Sequence, residues 1–348
     1  MAPYGQRARG HTEGIIDLSV GTPVDGTPEF IQKALRERSN SPGYPLTAGT
    51  PELRSALRTW ATDRLGASGD FDVLPTIGSK EMVAWLPTLL GARQVLYPEI
   101  AYPTYYVGAL LAGAQGMAVG LDPQEWMNSD LAWINSPSNP TGRVHSRQEM
   151  AAVIAWSRQT GTVIASDECY LEFADKVEPF SILSLTAGDN KNILAVHSLS
   201  KRSSMAGYRA AFIVGDSDLV GKIREIRKHA GMMVPLPIQN AMLSALGDEA
   251  HVVEQRTRYN ARRALLIPAL RLAGFTLPET GAGLYIWCTR NEADMETVAW
   301  FAEQGILVTP GHFYGAKGAT YIRIALTASD EEIAKAVERI NQSGRLSQ

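Results

Sequence analysis

A lysine surrounded by small hydroxyl residues follows one of the most apolar segments of the chain. Lys201 lies in the sequence Ser198-Leu199-Ser200-Lys201, directly after the apolar run 193–197, and Arg209 follows eight positions later. A lysine held out of water near other cations tends to lose its proton, and a neutral lysine can form a Schiff base with a carbonyl compound. The two serines and Arg209 could bind a phosphate. Considered alone, this segment could equally be a basic surface loop.

Four further sites that could do chemistry come directly after predicted strands. They are Ser79 and Lys80 after 73–77, Tyr102 after 94–97, Asn139 after 131–135, and Asp167 after 163–165. Each has an ordinary explanation by itself, as a helix cap, a core aromatic residue, a proline turn or a second cap. Together with the lysine, they bring a phosphate-binding helix start, an aromatic ring, an amide and a carboxylate to the strand ends. These are the groups that pyridoxal 5′-phosphate requires.

Apolar runs alternate with helical patterns through the middle of the chain, and this alternation predicts how those residues are positioned. Strands are predicted at 73–77, 94–97, 131–135, 163–165, 193–197 and 210–214, with helices at 80–90, 103–114, 147–159 and 218–230. This order is typical of an α/β fold, with a mostly parallel central sheet covered by helices on both faces. Ligands bind at the carboxyl ends of the strands in such sheets.

The C-terminal third has a different pattern and predicts a smaller α+β domain. A long arginine-rich helix at 248–272 leads to strands at 284–289, 306–308 and 321–325, a helix near 295–304 and a last helix from Asp330. The N-terminal segment from 15 to about 38 is expected to fold onto this part. We therefore predict a large cofactor-binding domain at 40–248 and a small domain formed by 1–39 and 249–348.

Composition argues against several classes of protein. The 348 residues include 33 basic and 36 acidic ones, a net charge of −3, which favours neither a nucleic-acid surface nor a polybasic membrane anchor. Cys169 and Cys288 are too few for a disulfide framework and fit a cytoplasmic location. The six histidines lack metal-ligand spacing, and no Gly-x-Gly-x-x-Gly segment follows a predicted strand. We therefore expect neither a metal site nor nicotinamide binding.

The motifs together resemble those of the fold-type-I, pyridoxal-phosphate-dependent aminotransferases of class I/II. The resemblance extends from about Ile16 to Leu326. It is most specific at 135–142 (Asn-Ser-Pro-Ser-Asn-Pro-Thr-Gly), at 166–170 (Ser-Asp-Glu-Cys-Tyr), and at 198–201 with Arg209. It implies a large domain with a mostly parallel sheet, a smaller α+β domain, and a homodimer whose active sites are shared between subunits.

The resemblance also implies which residues act on the cofactor ring. Lys201 would hold the cofactor covalently and then move the proton during the reaction. Asp167 would pair with the pyridinium nitrogen and keep the ring an electron acceptor. Asn139 and Tyr170 would hydrogen-bond the ring oxygen, and Tyr102 would stack on the ring.

Other matching residues are implied to bind the phosphate and the substrate. The phosphate would be surrounded by Ser79, Lys80, Ser198 and Arg209. Tyr44, on a Gly/Pro-rich loop, would reach the phosphate of the partner subunit. Arg323 would grip the α-carboxylate of the substrate through both of its terminal nitrogens, with Asn139 and the backbone of Gly21 beside it.

A narrower resemblance concerns the substrate. Residues 18–25, 42–45 with 47–51, 77–81 and 227–235 look like those of actinobacterial N-succinyldiaminopimelate aminotransferases of lysine biosynthesis. This implies glutamate as the amino donor and N-succinyl-2-amino-6-oxopimelate as the acceptor. The residues alone indicate only an amino acid with a carboxylate, exchanged through pyridoxal phosphate. Arg202, Lys228 and His229 are candidate cations for the distal succinyl carboxylate.

Three other functions remain open from the sequence. One is a different class I/II aminotransferase, of acetylornithine, aromatic or histidinol-phosphate type. A second is a carbon–sulfur lyase, which would release ammonia and pyruvate. The third is a sensor that keeps the cofactor fold without catalysis, although it would have no need of Lys201, Asp167 and Arg323 together.

Overall fold

A computed structural model describes residues 1–278 and 281–346 of the chain. Its strands are β1 (Ile16–Asp17), β2 (Asp72–Ile77), β3 (Gln94–Pro98), β4 (Gln115–Val119), β5 (Leu131–Asn135), β6 (Val163–Asp167), β7 (Ile193–Ser198), β8 (Ala210–Gly215), β9 (Tyr285–Cys288), β10 (Ile306–Leu307), β11 (Thr309–Pro310) and β12 (Ile322–Ala325). Its helices are α1 (Ala2–Arg9), α2 (Glu29–Glu37), α3 (Pro51–Leu65), α4 (Ser79–Leu90), α5 (Thr104–Leu111), α6 (Arg147–Thr160), α7 (Leu199–Arg202), α8 (Ser217–His229), α9 (Leu236–Leu246), α10 (Ala250–Leu272), α11 (Asp294–Glu303) and α12 (Asp330–Leu346).

A seven-stranded sheet lies at the centre of the described chain, in the order β2-β8-β7-β6-β5-β3-β4. Strand β8 runs antiparallel to both of its neighbours, and the other pairs are parallel. The mostly parallel sheet predicted from the sequence is therefore confirmed. Strands β5, β6 and β7 are buried along their whole length. This burial on both faces explains why their sequences are dominated by apolar residues instead of alternating with polar ones.

Hydrophobic cores cover both faces of this sheet. Leu57 and Trp60 of α3 belong to one core, and Met82 of α4 and Trp133 of β5 belong to the other. A third core surrounds a smaller antiparallel sheet with the order β11-β12-β9, where Ile324 is fully buried. Packed helices on both faces therefore support the strand ends of the large sheet. The smaller sheet contacts this part of the chain through Arg323, which is hydrogen-bonded to Asn139.

The N-terminal segment divides its contacts between the two parts. Strand β1 pairs in parallel with β10, Ile16 opposite Ile306, and α1 packs on α11. Helix α2, in contrast, packs on α9, and its Ile31 is buried in the core of the large sheet. Within the predicted segment 15–38, β1 contacts the C-terminal part as expected, whereas α2 packs against the large sheet; α1 lies before that segment. The domain boundaries themselves stay a prediction.

Several observed elements were not among those predicted from the sequence, among them α9, α3 and β4. Strand β4 lies at the edge of the large sheet and is partly exposed, and only its last three residues are apolar, so its apolar signal is short. Helix α3 has clear end signals. The Thr50 side chain accepts a hydrogen bond from the Leu53 amide, and Gly66 ends the helix in the left-handed conformation.

Candidate active site

A cavity of about 800 Å³ lies at the carboxyl ends of the central strands. It brings together most of the residues predicted for the site: Gly21, Ser79, Lys80, Tyr102, Asn139, Asp167, Tyr170, Ser198, Lys201, Arg209 and Arg323. Tyr44 does not line it and has 95% of its surface exposed. These residues lie close together because they follow strands that all end at the same edge of the sheet, namely β2, β3, β5, β6 and β7. Ligand sites are expected at this edge when helices cover both faces of a parallel sheet.

Lys201 lies on α7, a single helical turn that directly follows β7. The Ser198 Oγ accepts a hydrogen bond from the Ser200 amide at 3.1 Å and caps this turn. Burial lowers the pKa of Lys201 to about 8, and the positive charges of Arg209 and Arg323 act in the same direction. The neutral amine is the nucleophilic form, so a larger fraction of Lys201 is reactive near neutral pH than of an exposed lysine.

Asp167 ends β6 as a buried carboxylate. The Tyr105 hydroxyl donates a hydrogen bond to its Oδ2 at 2.8 Å, and the Cys169 amide donates one to its Oδ1 at 3.2 Å. Burial raises the pKa of Asp167, while these hydrogen bonds oppose the change. Within the described part of the chain, no cationic side chain forms an ion pair with it. A buried carboxylate of this kind is suited to a cationic ring nitrogen.

The anion-binding end of the cavity is formed by the start of α4 and by Arg209. Ser79 is the first residue of α4, where free backbone amides favour a phosphate. The Arg209 guanidinium lies so close to Gly78 that a Cβ at that position would collide with its Nη2. Gly78 has a φ of +80°, so glycine is favoured there for its backbone as well. The Lys80 Nζ lies 5.7 Å from the centre of the Tyr102 ring.

Arg323 is a buried cation at the other end of the cavity. Its Nη1 donates a hydrogen bond to Asn139 Oδ1 at 3.1 Å, and its Nη2 donates one to the Ser19 carbonyl at 2.6 Å. Its guanidinium carbon lies 4.1 Å from the centre of the Tyr285 ring. Among the residues that the structure describes, no carboxylate pairs with Arg323, and its Nε is buried without a hydrogen-bond partner. An oriented guanidinium without an anion is suited to bind a substrate carboxylate.

Three side chains that shape the cavity were not predicted from the sequence. Two of them, Cys169 and Tyr285, line it, and the Tyr285 hydroxyl lies 3.1 Å from that of Tyr170; the third, Tyr105, contacts the cavity's Asp167 from behind through its hydroxyl. Tyr105 and Cys169 are each within three positions of predicted residues, so their place in the sequence was an available signal. Tyr285 offers no such signal, because it lies on β9 in the smaller sheet.

The three cations suggested for the distal carboxylate are not in the cavity. Arg202 is buried and pairs with Glu249 at 3.2 Å, while Lys228 and His229 are exposed and pair with Glu225. The structure of this one chain therefore gives no support to these three candidates for the distal carboxylate. Over the described ranges, the cations that line the cavity are Lys80, Lys201, Arg209 and Arg323.

The sequence matches the family model described as aminotransferase class I and II over residues 13–340. The chain is a class I and II aminotransferase. Probable aminotransferase Rv1178 of Mycobacterium tuberculosis is 51% identical to it over 96% of this chain and 82% of that protein. The 4-dedimethylamino-4-oxo-anhydrotetracycline transaminase OxyQ of Streptomyces rimosus is 47% identical over 98% of this chain and 97% of that protein.

A solved structure shows the same fold as this aminotransferase. The probable N-succinyldiaminopimelate aminotransferase of Thermus thermophilus superposes with a TM-score of 0.88 and is 26% identical, with 98% of each chain covered. The fold-type-I architecture expected from the motifs is therefore confirmed. No helix in the described part of the aminotransferase combines the length and apolar character needed to cross a bilayer.

The class I and II aminotransferases depend on pyridoxal 5′-phosphate, and the cavity of this one fits that cofactor. The group needs an amine for its aldehyde, donors for its phosphate and a carboxylate for its ring nitrogen. Lys201, Arg209 with the start of α4, and Asp167, which has no ion-pair partner among the described residues, would supply them. When bound, the cofactor supplies a reactive carbonyl group and an electron-accepting ring. Among the described residues, no three or more His, Cys, Asp or Glu side chains are grouped so that they could hold a metal ion.

Replacing Lys201 with methionine is expected to stabilise the cofactor-free aminotransferase at pH 7 by about 3 kcal/mol, because the buried ammonium is removed. Folded Lys201 loses its proton near pH 8 and the unfolded lysine near 10.5. Between these two pH values the unfolded wild type binds more protons than the folded wild type, so its free energy of unfolding rises with pH. The difference in free energy of unfolding between the variant and the wild type therefore shrinks. Urea unfolding at pH 7 and at pH 10 measures both effects. Exposed Lys191, changed to methionine, is the control, and a Lys201 variant no more stable than wild type at pH 7 would contradict the prediction.

Proposed function

We propose that this aminotransferase moves the amino group of glutamate to N-succinyl-2-amino-6-oxopimelate, as a succinyldiaminopimelate transaminase of diaminopimelate and lysine biosynthesis. The observation that carries this proposal is the excess of positive charge in the cavity. Four cations line it against a single carboxylate, Asp167, among the described residues. Such a cavity favours a cofactor phosphate together with substrates that have more than one carboxylate. The name of the Thermus relative supports the same acceptor.

Each side chain has a defined role in this proposal. The Lys201 amine would hold the cofactor and, once released from it, would be the base that accepts the proton of the substrate α-carbon. Asp167 stabilises the protonated ring nitrogen, and Tyr170 donates a hydrogen bond to the ring oxygen. Tyr102 packs on the ring. Arg323 fixes the α-carboxylate, so the carbon that loses its proton is held beside Lys201.

An amino-acid screen with 2-oxoglutarate tests the substrate. The purified enzyme is offered N-succinyl-LL-diaminopimelate, acetylornithine, histidinol phosphate and aromatic amino acids. We expect kcat/KM for the succinylated substrate to exceed the others by about 100-fold or more, because a buried site that pairs polar groups discriminates strongly. A preference for acetylornithine or histidinol phosphate would overturn the substrate assignment. Release of ammonia and pyruvate from a sulfur-containing amino acid would indicate a lyase instead.

Changing Arg323 to lysine is expected to raise KM for both substrates by about tenfold to a hundredfold, because lysine keeps the charge and loses the planar fork. Donor and acceptor use the same cofactor in turn, so both present an α-carboxylate to Arg323. Steady-state kinetics with each substrate varied separately measure the effect. Arg290, which packs on Phe275 and Trp300 far from the cavity lining, is the matched control as Arg290→Lys. If KM rises for only one substrate, Arg323 recognises the distal group instead.

A second candidate is amino transfer to a ketone on a polycyclic aromatic compound. The 47% identity to OxyQ over nearly the full length of both chains favours it. Apolar side chains at the cavity also suit a large ring system, since Phe313 and Val20 line it and are 48% and 53% exposed. Adding 4-dedimethylamino-4-oxo-anhydrotetracycline to the same screen separates the two candidates. Faster turnover of this ketone than of the succinylated acceptor would replace the first proposal.

We also propose a homodimer that works in the cytoplasm. Tyr44 and Leu46, close together before α3, are 95% and 61% exposed. Exposed apolar residues in one segment are typical of a subunit interface, and a Tyr44 that reaches the partner's phosphate would account for them. The two free cysteines fit a reducing compartment. Sedimentation should give a dimer, and Tyr44→Phe should weaken cofactor binding without changing the assembly. A fully active monomer would contradict the proposal.

A further inference from the structure

Tyr285 occupies a central position in the cavity that none of the roles above uses. It lies on β9 and is only 3% exposed. Its hydroxyl lies 3.1 Å from the Tyr170 hydroxyl, and its ring lies under the guanidinium of Arg323. A Cβ on Gly21 would collide with its hydroxyl oxygen. One side chain thus contacts three parts of the site.

The ring of Tyr285 fixes the plane of Arg323. Asn139 Oδ1 and the Ser19 carbonyl accept hydrogen bonds from the two terminal nitrogens of Arg323, so its edge is held at two points. Two such points still allow the guanidinium plane to tilt about the line that joins them. The Tyr285 ring, with its centre 4.1 Å from the guanidinium carbon, lies nearer than the Tyr314 ring at 5.2 Å and is the better placed of the two to oppose that tilt.

The hydroxyl of Tyr285 orients Tyr170. The Tyr170 hydroxyl is also 3.5 Å from Asn139 Nδ2, so two neighbouring groups can donate to its oxygen. A phenol has one proton to donate. If Tyr285 donates to the Tyr170 oxygen, the Tyr170 proton is directed away from Tyr285 and toward the cavity. Burial raises the pKa of Tyr170 well above its usual value, so this proton is retained at physiological pH.

We propose that Tyr285 is a positioning residue with two separable actions: its ring orients Arg323 toward the substrate carboxylate, and its hydroxyl orients Tyr170 toward the cofactor ring oxygen. The proposal rests on the roles given to Arg323 and Tyr170 in the proposed function. It also explains the glycine at position 21. The N-terminal segment can pass over the tyrosine hydroxyl only where it has no side chain.

Two substitutions separate the actions. Tyr285→Phe keeps the ring and loses the hydroxyl, whereas Tyr285→Leu loses both. We expect the affinity for glutarate, an unreactive dicarboxylate, to stay within about threefold in Tyr285→Phe and to fall about tenfold in Tyr285→Leu, from the usual strength of a cation–π contact. We expect the pH midpoint of the cofactor's visible absorbance to rise in both variants, because Tyr170 then forms a weaker hydrogen bond with the ring oxygen.

Tyr314→Phe is the matched control for the spectrum. The Tyr314 ring also faces Arg323, with its centre 5.2 Å from the guanidinium carbon. The hydroxyl that pairs with Tyr170, however, is that of Tyr285 and not that of Tyr314. The pH midpoint of the cofactor absorbance in Tyr314→Phe should match that of the wild type. An unchanged midpoint in Tyr285→Phe, or equal losses of glutarate affinity in the two Tyr285 variants, would overturn the proposal.

A double substitution tests the contact between Gly21 and Tyr285 without any need to know which substrate the enzyme converts. Gly21→Ala should weaken glutarate binding by displacing the N-terminal segment, and adding Tyr285→Phe should recover part of that affinity because the colliding oxygen is gone. No recovery would contradict the close contact. If Arg323→Lys itself leaves glutarate affinity unchanged, the role of Arg323 in the proposed function is wrong, and the absorbance midpoint still decides the action on Tyr170.

Discussion

Lys201→Ala is expected to lower kcat by on the order of 10⁴-fold or more, because the covalent and proton-transfer roles are lost together. The variant should still bind pyridoxal phosphate, since Asp167, Arg209 and the start of α4 remain in place. Single-turnover reaction with glutamate, followed by the absorbance of the bound cofactor, measures the loss. Lys191→Ala, at an exposed position outside the cavity, should keep the wild-type rate.

Borohydride treatment identifies the attached residue directly. In the wild type the reduced cofactor should be found on the peptide that contains Lys201, whose pKa of about 8 distinguishes it from ordinary lysines. Recovery of the label on Lys80, Lys191 or Lys222 would show that a different amine holds the cofactor. It would also leave the low pKa of Lys201 without a functional explanation.

Asp167→Asn is expected to lower kcat by about 10³-fold, the size of effect seen when one preorganised electrostatic group is removed. Asparagine has nearly the same shape as aspartate, so the positions of the Tyr105 hydroxyl and the Cys169 amide should change little. The substitution mainly removes the negative charge at residue 167. The phosphate contacts are on other elements, so cofactor affinity should fall far less than turnover. Rapid-mixing kinetics with glutamate and equilibrium dialysis of the cofactor separate the two quantities.

Asp130→Asn is a suitable control for Asp167→Asn. Asp130 also accepts backbone hydrogen bonds, from Arg93 and Gln94, but at the opposite end of the central sheet. Its replacement should cost some stability and leave kcat close to that of the wild type. Near-normal turnover in Asp167→Asn would mean that Asp167 only caps the turn after β6.

The strand ends of the large sheet were predictable because burial on both faces leaves a strong apolar signal. Strands β5, β6 and β7 have that signal, and Asn139, Asp167 and Lys201 could be placed from it. Strand β4 could not, since an exposed edge strand has little need of apolar residues. The antiparallel direction of β8 was also not predictable, because its sequence is as apolar as those of β6 and β7, which pair in parallel with each other.

The site was less predictable where distant elements meet. Arg202 follows Lys201 in sequence, but consecutive residues of a helical turn point in directions about 100° apart, so its side chain faces Glu249 and not the cavity. Tyr285 reaches the site from the smaller sheet, whose position against the large sheet has no local sequence signal. The role of Tyr44 concerns a second subunit, on which one chain carries no direct information.

The contact between Arg323 and the Ser19 carbonyl joins residues 304 positions apart, and it has a consequence for how the enzyme is made. Ribosomes release a chain from its N-terminus at about 5–20 residues per second. The strands that carry Asp167 and Lys201 are therefore complete many seconds before β12 appears. During that interval Arg323 has not been synthesised, so the segment with Ser19 and Gly21 cannot form its contact with that side chain. The part of the site proposed to hold the cofactor, with Asp167 and Lys201, is thus complete first. The part proposed to select substrates, with Arg323, is completed last.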